Sequence, residues 1–377
     1  MRLSYRLSFL FVVFLLLVGG AFYVFFYMGR GRSDLPGTDL SHLQASAIPG
    51  HLEALKSQDV SARKKAATIL WQMGVEAKTA TPTLLQVAKD PDPQVREAVV
   101  KALGRTGQGT QDAIPAFLEA LKDDEANVRA ASATSLAETW RLATAGKSGG
   151  ARALAGRENT AQPGKQGPSN SAPSLTKLAP PYQELAQKAI PLLTDALRDA
   201  DPHVRACAAE ALAETGPLAE PAVPDLVQLL QKDKDSSARL QATLALFNIG
   251  PGAKTAVPVL VEKLHSEEVD GVRVNTAAAL GMIRASPEIA VPALVETFLK
   301  DKHGDARKCA MKSIGQFGPE AGLAIPLLQE AAKDPKNQQS EATMQNINRL
   351  LDFLKKVSQR SGEDQKDSPS PLEPSDK

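Results

Sequence analysis

Eight Ala-Ile/Val/Thr-Pro tripeptides punctuate the chain, with prolines at 49, 82, 115, 191, 224, 258, 292 and 326, separated by 33, 33, 76, 33, 34, 34 and 34 residues. An arginine keeps the same beat at Arg63, Arg96, Arg129, Arg205, Arg239, Arg273 and Arg307, always 14 or 15 residues after the proline. The whole unit therefore recurs. One unit of this length cannot bury its own apolar face, so it must stack on its neighbours into a solenoid.

The unit around Pro191 shows the local logic. Ala189-Ile190-Pro191 opens an apolar-periodic run (Leu192, Leu193, Ala196, Leu197), and proline in a first helical turn removes an N–H that has no partner there anyway. Asp199-Ala200-Asp201-Pro202 breaks this helix A with turn and cap residues. Val204, Ala208, Ala211 and Leu212 then resume the helical spacing in helix B until Gly216. The same reading covers Pro82 to Gly107, Pro224 to Gly250 and Pro292 to Gly318, with a loop of about six residues after each pair. Ala102, Ala211, Ala245 and Ala279 on helix B let neighbouring backbones approach, and Leu103, Leu212, Leu246 and Leu280 fill the seam.

This succession of Ala-Ile/Val-Pro, Asp-x-Asp-x-x-Val-Arg and Ala-Leu-x-x-Ile/Thr-Gly resembles HEAT-like repeats of the phycobilisome-lyase type, over roughly residues 47 to 335. The resemblance implies an all-α fold, a right-handed α-solenoid of stacked antiparallel helix pairs. It also implies a ladder between adjacent repeats, built from the helix-B arginine and an acid. Six acids stand six residues before an arginine (Asp90, Asp123, Asp199, Asp233, Glu267 and Asp301), with Ser57 the exception. A feature spread evenly over every unit reads as structural and marks no single site.

Leu7 through Met28 form 22 consecutive residues without a charge, enough at about 1.5 Å per residue to cross a bilayer as one N-terminal transmembrane helix. A cleaved signal peptide is the alternative, with Val18-Gly19-Gly20 as its small-residue site. The apolar run continues past it through Phe22-Tyr23-Val24-Phe25-Phe26-Tyr27, which favours an uncleaved anchor. Arg2 and Arg6 nearly balance Arg30 and Arg32; the short N-terminus favours N-inside, with the solenoid outside the cytoplasm. Cys207 and Cys309 occupy equivalent positions three repeats apart, too distant for a disulfide, and read as small apolar side chains.

The formal net charge is +1, without the excess that a nucleic-acid solenoid would show. Of 17 aromatic residues, nine lie within the first 28 positions, leaving too few for a base-stacking platform. His42, His51, His203, His265 and His303 are scattered, and none precedes a glutamate. No His-Glu-x-x-His, Cys-x-x-Cys or phosphate-binding Gly-x-x-x-x-Gly-Lys-Ser/Thr pattern occurs. No catalytic residue, cofactor or metal is expected, and no nucleic-acid partner.

These signals divide the chain into a short N-terminal segment (1–6), the anchor (7–28), a linker and cap (29–46), repeats 1–3 (47–140), a disordered insertion (141–184), repeats 4–7 with the start of a capping unit (185–335), a capping helix (336–357) and a disordered tail (358–377). The insertion's Gly, Pro, Ser and Gln cannot bury enough apolar surface to order it. Helix B should line the concave face, with outward positions at +1, +5 and +9 from the arginine. Units one and two carry Lys64, Thr68, Gln72, Glu97, Lys101 and Arg105 there. Units five and six carry Leu240, Leu244, Asn248, Val274, Ala278 and Met282, with Phe247 beside them. Apolar residues where neighbours place charges suggest a groove for a protein partner; a register shifted by one would bury them in the seam instead. The expected function is a membrane-anchored scaffold or adaptor without catalytic activity. The resemblance implies a rival, a bilin-lyase-like enzyme acting on a tetrapyrrole and an acceptor protein.

Overall fold

The computed structural model describes residues 40–106, 111–145 and 180–364. The anchor expected at 7–28 lies outside them. The chain divides at Ala47/Ile48, and the array of repeats belongs to the second unit, Ile48–Lys377. The elements of the described residues are all helical: α1 (Leu40–Ala54, which begins before that boundary), α2 (Val60–Met73), α3 (Thr81–Val87), α4 (Pro93–Thr106), α5 (Ile114–Ala120), α6 (Ala126–Ala145), α7 (Pro180–Ala196), α8 (Pro202–Thr215), α9 (Val223–Lys232), α10 (Ser236–Ile249), α11 (Val257–Ser266), α12 (Asp270–Ile283), α13 (Pro287–Lys300), α14 (Gly304–Gln316), α15 (Ala324–Lys333), α16 (Pro335–Gln338) and α17 (Glu341–Asp364). Odd numbers through α13 are A helices and even numbers through α14 are B helices.

Four B helices start at a capping aspartate: Asp59, Asp92, Asp201 and Asp235 accept amide hydrogens from the first turns of α2, α4, α8 and α10, whereas Val269 and His303 precede α12 and α14 without a side-chain cap. The B helices α2, α8 and α10 stop at a glycine with φ near +60°, namely Gly74, Gly216 and Gly250, and Gly318 takes the same state just after the Phe317 cap of α14, a backbone state that a Cβ disfavours. The six-residue loops expected after them are 3₁₀ turns, such as Gly216–Ala222 and Gly250–Ala256. One unit lacks the glycine: Arg284 and Ser286 both take φ 51°. The chain then enters α13 early, so Pro292 sits inside that helix.

Each B helix packs on the next, from α2 through α14. Ala102, Ala211, Ala245 and Ala279 are fully buried in this layer, as are Leu103, Leu212, Leu246 and Leu280. Two closer approaches need glycine. A Cβ on Gly104 would lie 2.6 Å from the Ser135 hydroxyl, and one on Gly281 would lie 2.6 Å from the Ser313 Cβ. By length and composition Ser236–Ser266 could cross a membrane, but Gly250 breaks it into α10 and α11, whose apolar residues fill the solenoid core.

The expected insertion is shorter at both ends. Residues 141–145 complete α6, which buries Trp140 completely and bonds Arg141 to Glu210 and Glu214 at 2.9 Å. Residues 180–184 open α7. Amphipathic extensions on both sides carry the helical pattern further than composition suggested, and 146–179 lies outside the described residues. At the C-terminus, α16 and α17 replace the single capping helix expected at 336–357. Helix α17 runs to Asp364, into the stretch expected as tail. It buries Ile347, Leu350, Leu351 and Leu354.

Candidate partner-binding face

Six arginine–carboxylate rungs hold the units in register: Arg63–Asp90, Arg96–Asp123, Arg129–Asp199, Arg205–Asp233, Arg239–Glu267 and Arg273–Asp301. In each, Nε and Nη2 grip both oxygens of the next unit's acid, as in the 2.6 and 2.8 Å bonds of Arg205 to Asp233. Nη1 donates to two carbonyls of the arginine's own turn, Asp199 and Ala200 in this case. The acid is itself fixed by the amide two residues on, as when Asp233 accepts from Asp235 at 2.8 Å. Burial pushes these carboxyls up, but the arginine hydrogen bonds, that amide and the nearby guanidinium charges hold the five aspartates and Glu267 below their ordinary range. The ladder is thus occupied internally. Among the described residues, the last arginine, Arg307, keeps only the carbonyl bonds to Asp301 and Lys302.

What the ladder and seam leave free is the outer side of the B helices. In units one and two, Lys64, Gln72 and Lys101 are exposed. In units five and six, Leu240, Leu244, Phe247, Asn248, Val274 and Met282 are half-buried, and Ala278 is buried. Leu240, Phe247 and Val274 pack partly on the core. The Asn248 amide is committed to structure, donating to the Ala213 carbonyl of the preceding B helix at 3.0 Å. Leu244 and Met282 remain as the apolar surface of this stretch.

Between these two stretches lies a feature that linear reading missed. Trp71, Glu97, Thr134, Glu138 and His203, drawn from four successive units, line a cleft of about 230 Å³ floored by Ala130 and Ala131. Trp71 is 37% exposed and carries the Arg105 guanidinium 5.2 Å from its ring centre. Lys101 bridges to Glu97 at 2.5 Å. Burial raises the Glu138 carboxyl against the opposing pull of Arg141 and Arg105, with Glu210 adding to the rise. His203 is exposed and lies 3.8 Å from the Cys207 sulfur. Burial raises that thiol, only partly offset by the Thr134 hydroxyl, so the pair does not form an activated nucleophile.

A family model for HEAT repeats matches residues 48–137, 171–247 and 252–346. No curated protein sequence matches the chain. Among solved structures, it is similar to the Escherichia coli protein YibA (16% identity, 86% of this chain and 99% of that one, TM-score 0.50). It is also similar to importin β (14% identity, 84% of this chain and 42% of that one, TM-score 0.51). A third likeness is to the CpcE–CpcF complex of phycocyanin lyase from Nostoc sp. PCC7120 (21% identity, 53% of this chain and 98% of that one, TM-score 0.36). At these identities the likeness is one of fold, and the lyase similarity bears on no chemistry. With its repeated helix pairs, its internal ladder and that family match over most of its length, the chain belongs to the HEAT-repeat family.

Proposed function

We propose that the chain is a membrane-anchored scaffold that binds a protein partner on the outer face of its B helices. One observation carries this reading: the ladder arginines and the seam residues face inward or along the turns, leaving a continuous row of B-helix side chains whose chemistry changes from unit to unit. Closer packing between successive B helices than between successive A helices supports a concave B side. The uncharged run from Leu7 to Met28 supports a single-pass anchor, oriented N-inside with the solenoid outside the cytoplasm. The bilin-lyase alternative draws on the repeat type alone; a shifted absorbance band on mixing the purified protein with a bilin would support it.

The partner face is tested with a photo-crosslinking side chain at Leu244 or Met282, and at Glu262 on α11 as control. Adducts of defined mass from the two B-helix positions, absent from the control, are expected. Equal labelling from all three positions would sink the reading. Deleting residues 7–28 should move the protein from the alkali-resistant membrane fraction to the soluble one.

A further inference from the structure

The geometry points to the open end of the ladder, the guanidinium of Arg307, as a subsite for an aspartate or glutamate carboxylate of a protein partner. The site lies in the first turn of α14 and does not rest on the outer B-helix face being the partner face. Arg307 is set as the closed rungs are set: its Nη1 donates to the Asp301 and Lys302 carbonyls at 2.6 and 3.2 Å, as that of Arg205 does to Asp199 and Ala200. Pinning Nη1 aims the rest of a planar guanidinium. In all six rungs Nε and Nη2 then hold the two oxygens of one carboxylate. Among the described residues, those of Arg307 have no acceptor. The rung arginines are buried or half-buried, whereas Arg307 is exposed.

The chain carries an acid at the matching position but does not close the rung with it. Asp334 follows Arg307 by 27 residues, the spacing of Arg63 and Asp90. Its carboxylate accepts from the amide two residues on, that of Lys336 at 2.9 Å, as a rung acid does. Elsewhere a B helix starts three residues after the acid, as α10 does after Asp233; here α16 intervenes, and α17 starts seven residues after Asp334. The Asn337 amide ties α16 to the end of α15 by donating to the Ala331 carbonyl at 2.9 Å. Helix α17 then packs mainly on α15, α16 and the 3₁₀ turn Gly318–Leu323, and little on α14. The extra turn thus carries the last layer off the row of B helices and leaves the fork uncovered. A second copy stacked head to tail would not fill it, because Ser57 stands where unit one would carry its acid. Lys302 is exposed beside the fork, and Asp305 is taken by Lys308 at 3.2 Å. Six rungs built on the same frame select a carboxylate for the fork.

The test uses the full chain in detergent, isotope-labelled in arginine, and reads the side-chain Nε–H resonances by NMR. The Arg307 resonance is assigned by its loss in Arg307→Lys. A blocked Gly-Ser-Asp-Ser-Gly peptide should move it saturably toward the positions of the rung arginines, which themselves stay in place. The Gly-Ser-Asn-Ser-Gly counterpart should not move it. Asp334→Asn should leave the free resonance where it was and the peptide shift intact. The proposal is overturned if the Arg307 resonance of the free chain already lies among those of the rungs, since a carboxylate of this chain then fills the fork. Absence of a saturable shift with the aspartate peptide, an equal shift with the asparagine peptide, or a larger one with inorganic phosphate at the same concentration would each overturn it too.

Discussion

A ladder arginine divides its nitrogens between two tasks, pinning its own turn through Nη1 and gripping the next unit through Nε and Nη2. Because the guanidinium is planar, satisfying the first task aims the second. Asp233→Asn removes the charge and one acceptor from a half-buried rung, so urea titration should show a loss of about 1–3 kcal/mol. The pH dependence follows from the lowered carboxyls. Their folded values lie below the unfolded ones, so the rungs contribute fully above about pH 4. That contribution is lost as pH falls through the lowered folded values, and an acid titration of the helical signal should show it. The two thiols behave oppositely. Burial pushes Cys309 up to about 11 despite Lys312 and Ser313, and Cys207 is raised for the same first cause. Neither should react with a disulfide reagent at neutral pH until denaturant opens the fold. Sequence placed both cysteines in equivalent buried niches, and both are buried free thiols. It could not show that His203 lies against one of them.

At the scale of helices, the alanines six residues after Arg96, Arg205, Arg239 and Arg273 were legible as a seam, whereas the glycines eight residues after Arg96 and Arg273 were not. Each faces a serine of the next B helix, Gly104 against Ser135 and Gly281 against Ser313. A serine in the seam is larger than the alanine used elsewhere, and the preceding helix makes room by dropping its Cβ. That relation depends on the stagger between layers, which periodicity within one helix does not contain. Gly281→Ala should therefore cost about 1–3 kcal/mol by overpacking. Gly322→Ala, with open space around it, should change stability by less than about 0.5 kcal/mol. Thermal unfolding of the two variants side by side checks the contrast. The candidate site divides in the same way. Leu244 and Met282 follow from the one-dimensional count. The bond from Asn248 to Ala213 crosses a layer, so the count along one helix could not show it.

Across the whole molecule, the rung from Arg129 to Asp199 spans 70 residues, yet its bonds of 2.6 and 2.8 Å match those of rungs closed over 27 or 28. Helix α6 packs on α8 as the other B helices pack on their neighbours. The rung thus has the same geometry whether 27 or 70 residues separate its partners. Replacing 146–179 with a linker of about ten residues should raise stability by about 1 kcal/mol, the smaller closure entropy of a shorter loop; an unfolding midpoint below that of the intact chain would contradict this.

The sequence by itself determined the helix pairs, their caps and the seam, because each depends on spacing within one unit and the units repeat; the ladder was implied by the family resemblance. Only the tertiary structure decided which glycine faces which serine, which amide closes which helix, and that Trp71, Thr134, Glu138 and His203 meet in one cleft. Those contacts are set by how far each layer is offset from the next, a quantity fixed by side chains packing across the seam.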